Sequence, residues 1–256
     1  MQKSIYLSVI SFFLLIAVIS GTMIYAHFKK ASTQNELYES LAKIAEQDTE
    51  IGTTTPSKND APEMLPEYAE LYRQNSDIVG WITIPDTKIN YPVMQSKDNP
   101  NFYLKHGFDK AYTDYGCPYV SEECDVNEPS DNLIIYGHNM KNGSMFSALN
   151  QFKSKNFWEK HRAVYFNTLY EKQTYEIMAV FKTAVYTDTA DEFRYYRFVD
   201  TETPDLFDEY IGAAKERAFY DTGVSAECGD KLITLSTCEY SNKNGRLVLV
   251  AKKVKI

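Results

Sequence analysis

Cys238 stands at the C-terminal end of the run KLITLSTC, and Arg246 opens a second run, GRLVLVAKKVK, eight residues later. Both runs are apolar and rich in β-branched residues, and the stretch between them, EYSNKNG, is made of polar turn formers. Two antiparallel strands joined by such a turn set Cys238 and Arg246 near one another across the ladder. A guanidinium beside a thiol favours the nucleophilic thiolate, and its N–H groups can donate to an oxyanion. A buried strand cysteine and a surface arginine would use the same residue types, so the spacing alone leaves both readings open. His138 is the third candidate, placed where the apolar run NLIIYG ends. An imidazole can take and return a proton near neutral pH, although a histidine at a strand end is commonly just a satisfied polar residue. His27 borders an apolar N-terminal run, and His106 and His161 lie in polar contexts, YLKHGF and WEKHRA. A Cys and a His brought together from distant sequence supply a nucleophile and a proton-transfer partner, parts that a thiol protease also needs.

Positioning those groups requires a strand-rich frame. Short runs of Val, Ile, Tyr and Phe recur between turn residues: IVGWITI (78–84), INYPVMQ (89–95), CPYVS (117–121), NLIIYG (132–137), AVYFNT (163–168) and QTYEIMAVFKTAVY (173–186). The two runs around Cys238 and Arg246 complete the series. Twenty Tyr and fourteen Phe suit pleated, half-buried surfaces. Many short strands with frequent turns predict a barrel or sandwich, not a doubly wound sheet. Helical periodicity appears in PEYAELYRQNSD (66–77), in SMFSALNQF (144–152) and in PDLFDEYIGAAKERAF (204–219), where Leu206, Tyr210, Ala214 and Phe219 roughly share a face.

These motifs together resemble the sortases, and class B sortases in particular. TLSTC followed by Arg246, with YGHNM about a hundred residues upstream, carries the likeness. DIVGWITIPDTKINYPVMQ, NFYLKHGFDKAY, NLIIYGHNMKNGSMFSAL and GRLVLVAKKV extend it in the same order over roughly residues 66 to 254. The resemblance implies a mainly β fold: an eight-stranded barrel with added helices at the N-terminus and in the insertion before the last two strands. It implies Cys238 as nucleophile, His138 as general acid/base and Arg246 as the arginine that holds substrate backbone or oxyanion. Ser236, Glu239 and Leu104 fall where family members contact substrate. The implied activity is a cysteine transpeptidase that cuts a C-terminal sorting signal after Thr. It would pass the thioacyl-bound protein to an amine of peptidoglycan or its precursor. The implied partners are surface proteins bearing a Pro-x-Thr type of signal. A thiol endopeptidase that releases the peptide to water would keep the same three residues. Two features depart from the family pattern: Cys117 and Cys124, and the turn SNKNG where an acidic-aromatic turn is more usual.

Upstream of this region the chain changes character. Residues 5–26 carry no charge and are flanked by Lys3 on one side and by His27, Lys29 and Lys30 on the other. At about 1.5 Å per residue such a helix crosses a hydrocarbon core of roughly 30 Å. A cleaved signal peptide is the competing reading, but the run exceeds a usual h-region and no A-x-A site follows it. The expected organisation is a membrane anchor over 1–30, a helix and polar linker over 31–63, and a catalytic domain over 64–256. The short helix (31–47) carries Leu37, Leu41 and Ile44 as a narrow stripe, and the linker (48–62) contains three consecutive Thr. A single-pass anchor with the catalytic part outside the cell follows from the site, since lysine bias does not orient the span.

A formal net charge of −8 argues against nucleic acid, which needs a basic footprint. No dinucleotide fingerprint, P-loop or EF-hand is present, no cofactor is expected, and no acidic cluster supports calcium. The four cysteines, at 117, 124, 228 and 238, show no C-x-x-C pair or zinc spacing. They allow two disulfides, a Cys117–Cys124 bridge among the options, or free buried thiols.

Overall fold

In the computed structural model the described residues are 2–46, 63–185, 192–201 and 203–255, so the linker lies largely outside them. The chain divides into two compact units, Met1–Lys43 and Ile44–Ile256. The apolar run and the expected short helix as far as residue 45 form one uninterrupted helix, α1, Gln2–Ala45, which makes up most of the first unit. It is long and apolar enough to cross a membrane, and residues such as Phe12, Leu14, Val18 and Ile24 stand exposed along it.

The second unit is a closed barrel of eight strands. They are β1 (Ile78–Thr83), β2 (Asn90–Met94), β3 (Tyr119–Val120), β4 (Asn132–Tyr136), β5 (Ala163–Thr168), β6 (Thr174–Ala184), β7 (Leu232–Cys238) and β8 (Gly245–Lys253). Around the barrel the order is β1-β2-β3-β4-β7-β8-β6-β5, with β5 returning to pair β1. Two neighbouring pairs, β2–β3 and β4–β7, are parallel, and the rest are antiparallel. Among the described residues each expected strand forms, several of them shorter than the run that predicts them. The helices are α2 (Pro66–Gln74), α3 (Lys155–Trp158) and α4 (Pro204–Glu216), with 3₁₀ turns at Phe102–Leu104, Phe146–Lys153 and Tyr195–Arg197.

The continuous apolar character of β8 has a direct cause. Val248 and Val250 belong to a cluster with Phe207, Tyr210, Ile211 and Ala214 of α4 and Tyr195 of the insertion. Side chains alternate along a strand, so Leu247, Leu249 and Ala251, also fully buried, fill the barrel side. A strand covered on both faces reads as an unbroken hydrophobic run.

The α4 stripe differs from the expected one. Phe207, Tyr210, Ile211 and Ala214 are buried, the i, i+3, i+4, i+7 set of a single face. Leu206 is 52% exposed and Phe219 41% exposed. Leu206 is rotated off the stripe, while Phe219 lies beyond the helix end and donates its backbone N–H to Val180 O at 2.9 Å. Thr203 caps the helix through Oγ1, which accepts from Leu206 N, and Pro204 follows at its first position.

No disulfide joins Cys117 to Cys124. Both are buried, and each thiol donates to a backbone carbonyl, Pro92 O at 3.5 Å and Asn132 O at 3.4 Å. Burial pushes the Cys124 thiol up to about 11, so it behaves as a small core residue. Cys228 is free and exposed.

Candidate active site

The end of the barrel that carries Cys238 is built by a tight hairpin. β7 is buried along its length until Cys238, which is half-exposed. The register of β7 against β8 sets Cys238 directly opposite Arg246. Directly opposed residues of an antiparallel pair stand about 4.5–5.5 Å apart at Cα. The turn closes through Glu239 N–H to Gly245 O (2.9 Å) and Gly245 N–H to Asn242 O (3.1 Å). A Cβ on Gly245 would meet Glu239 O at 2.3 Å, so this close approach admits no side chain. Arg246 Nη1 donates to Gly245 O at 3.0 Å, which holds the guanidinium base near the turn.

Three tyrosines sense both groups. Burial raises the Tyr119 phenol; beyond Glu122's added push, Arg246 pulls it down and Cys238 pushes it up. Burial also raises Tyr195, against the Ser236 hydrogen bond and Arg246, with Cys238 adding a smaller upward push. Tyr240 is raised by burial and then by Cys238, with Arg246 opposing. The thiol and guanidinium thus share one small electrostatic neighbourhood.

His138 arrives by a different route. β4 and β7 run parallel with Tyr136 opposite Ser236, and Gly137 N–H continues the ladder to Ser236 O at 3.1 Å. β4 stops at Tyr136 while β7 runs on two residues beyond Ser236 to Cys238, so His138, two residues past Tyr136, emerges at the barrel end that carries Cys238. Thr237 Oγ1 donates to Gly137 O at 2.7 Å. Asn139 Nδ2 donates to Cys238 O at 2.8 Å. Gly137 is required here because a Cβ would lie 2.6 Å from the Phe146 ring, and Phe146 N–H in turn donates to His138 O at 2.9 Å.

The imidazole is oriented by a distant backbone group. His138 Nε2 lies 2.7 Å from Leu104 O. A carbonyl only accepts, so Nε2 carries the proton and Nδ1 is the nitrogen left for exchange. His106 and His161 are held locally instead. Their Nδ1 atoms meet Phe102 O and Phe157 O at 2.7 and 2.8 Å, and their rings stack on those phenylalanines at 3.9 and 4.0 Å.

The three expected substrate contacts occupy different settings. Leu104 is 39% exposed, beside the imidazole that its carbonyl orients. Ser236 is 1% exposed, and its hydroxyl is hydrogen-bonded to Tyr195 OH at 2.7 Å. The Glu239 carboxylate is turned toward Lys153 (3.0 Å), Lys182 (2.9 Å) and the backbone and hydroxyl of Ser241. The Ser241 hydroxyl is the main cause that holds this carboxyl well below its usual range, with Lys182 and Lys153 adding to it against burial. Tyr119, Tyr195 and Asn139 were not among the candidates read from sequence. Asn139 lies inside the YGHNM motif, but nothing local shows that its amide reaches Cys238.

Comparison with known proteins identifies the family and the fold. The Sortase domain family matches residues 82–254. Sortase B of Listeria monocytogenes is 36% identical over 197 residues, which cover 75% of this chain and 76% of that protein. Sortase B of Staphylococcus aureus is 31% identical over 193 residues, with 75% and 76% covered. A solved Staphylococcus aureus sortase B–substrate complex superposes with a TM-score of 0.76 at 26% identity, covering 89% of this chain and 99% of that one. A barrel of this order, ending in a thiol opposite an arginine and beside a histidine, with such relatives, belongs to the sortase family, in its class B group.

Proposed function

We propose that the chain is a membrane-anchored transpeptidase that cuts a C-terminal sorting signal after Thr and joins the upstream protein to a cell-wall amine. The observation that carries this reading is the register that sets Cys238 opposite Arg246 at the barrel end where His138 follows β4. The Cys238 thiolate attacks the carbonyl carbon of Thr. The C–S bond forms as the C–N bond to the next residue breaks, and His138 delivers a proton to the departing amine. An incoming amine then gives its proton to His138 and displaces the thiolate, so charge and protons balance over the cycle. Arg246, opposite the thiol, donates to the oxyanion or to the substrate backbone.

The partners that fit are surface proteins bearing a Pro-x-Thr type of signal, with peptidoglycan or its precursor as the amine donor. The apolar part of α1 is the anchor in this reading, and the catalytic part works outside the cell membrane. The test uses residues 31–256 with a panel of Pro-x-Thr pentapeptides, with and without an amine acceptor, and mass spectrometry of Cys238. An adduct ending in Thr together with an amine-joined product is the expected result. Cleavage without joining identifies a thiol endopeptidase, and absence of any adduct overturns the proposal.

A further inference from the structure

The catalytic groups of this chain lie just beyond the end of the β4–β7 pairing, although Cys238 is still paired with Arg246 of β8. The last β4–β7 pair is Tyr136 with Ser236, so neither His138 nor Cys238 is held by that ladder. Cys238 is also the last residue of β7, at the edge of a turn in which Glu239 N–H returns to Gly245 O. The Cys238–Glu239 peptide plane is thereby held through its N–H, while its carbonyl takes no part in that turn bond and needs a partner of its own. A hold on this carbonyl fixes the backbone from which the Cys238 side chain projects.

What holds that carbonyl is a side chain from the histidine segment. Asn139 Nδ2 donates to Cys238 O at 2.8 Å. The backbone of Asn139 is held in turn, through a bridge to Met145 and through Tyr240 OH, which donates to Asn139 O at 3.1 Å. Tyr240 follows the nucleophile by two residues, so the two segments are tied in both directions. The Thr237 hydroxyl on Gly137 O adds a third tie, one residue upstream of each reacting group.

We infer that Asn139 is a positioning residue whose amide clamps the Cys238 carbonyl and so keeps the thiol in station beside His138. The inference rests on the proposed transpeptidase reading for its kinetic consequence, but not for the clamp itself. An amide donor is needed at this point. An aspartate of the same shape would aim a carboxylate oxygen at a carbonyl oxygen, two acceptors with no proton between them.

Two variants test it, Asn139→Ala and the isosteric Asn139→Asp, which keeps the volume if the alanine fails to fold. Cys238–Glu239 is the sole Cys-Glu step in the sequence. Labelling cysteine carbonyls with 13C and glutamate amides with 15N therefore gives one NMR correlation, reporting the Cys238 carbonyl without any substrate. The expected result is a displaced carbonyl signal in both variants. The acylation rate per titrated Cys238 should fall about tenfold, the loss of one hydrogen bond's worth of alignment, with KM for the peptide little changed. A carbonyl signal in its wild-type place overturns the clamp. A displaced signal with per-site acylation unchanged, or a loss confined to Tm, overturns the positioning role. Should the wild-type chain acylate no peptide, the proposed activity falls, and the carbonyl signal still decides the clamp.

Discussion

The two halves of the site are assembled at very different distances along the chain. Cys238 and Arg246 meet through a single hairpin, with seven residues of turn between them and a strand register that pairs them directly. His138 lies a hundred residues upstream, and it reaches the same barrel end because β4 runs parallel to β7 with Tyr136 opposite Ser236. The hairpin half is secured by backbone hydrogen bonds within the turn. The histidine half depends on side chains that cross between segments: Thr237 to Gly137, Asn139 to Cys238, and a ring held by Leu104 O. Local geometry thus places the thiol and the charge, and long-range packing places the imidazole.

Perturbing each half in turn separates their contributions. Cys238→Ala removes the proposed nucleophile from a strand end while leaving the β7–β8 pairing in place. It should abolish acyl-enzyme by mass spectrometry with Tm near wild type, and persisting cleavage would break the assignment. His138→Ala should slow turnover by about a hundredfold to ten-thousandfold, the usual worth of a positioned acid/base group. Near-normal turnover there would mean that another group moves the proton. Arg246→Lys keeps the charge but loses the planar fork, and activity should fall roughly a hundredfold. A lysine variant with wild-type kcat/KM would reduce Arg246 to a charge alone.

The two smaller effects concern stability and test the difference in how the halves are held. Gly137→Ala drives a methyl into the Phe146 ring, an overpacking cost of about 1–3 kcal/mol. It should lower the urea midpoint and disturb His138 more than the Cys238–Arg246 pair, which side-chain NMR can read. Glu239→Gln acts on the hairpin half. The folded-state carboxyl lies below its unfolded value, so its stabilisation is complete above the ordinary carboxylate range. That contribution fades as pH falls through the folded value. The variant should therefore show a slightly lower Tm at neutral pH, with the two Tm curves converging in acid. A constant gap at all pH values would mean that Glu239 contributes through packing, not charge.

Much of the fold was legible before any coordinates. Each apolar run became a strand because alternating or continuous hydrophobicity reports burial on one face or two. AVYFNT became β5 without trimming. The stripe of α4 was misread by one position, since Leu206 and Phe207 are both apolar and only packing chooses which one faces β6 and β8. The Cys117–Cys124 option was also beyond the sequence: two thiols seven residues apart can bridge or not, and here each is turned to a different carbonyl. Cys238 and Arg246 were legible as a pair because a hairpin of that length sets its own register. The settings of Ser236 and Glu239 were not. Their partners, Tyr195, Lys153 and Lys182, come from remote segments that no local pattern links to Cys238.

By itself, the sequence determined which residue types were available and which neighbours the chain must bring together: the apolar runs, the turn before Arg246, the glycines where backbones touch, and the long apolar helix at the N-terminus. The tertiary structure alone decided the tautomer of His138, the clamp on the Cys238 carbonyl, and the burial of the Glu239 carboxylate between two lysines. Short-range features follow from propensity and steric limits that each segment carries with it. A hydrogen bond across a hundred residues forms only once closure of the barrel has brought its donor and acceptor within 3 Å.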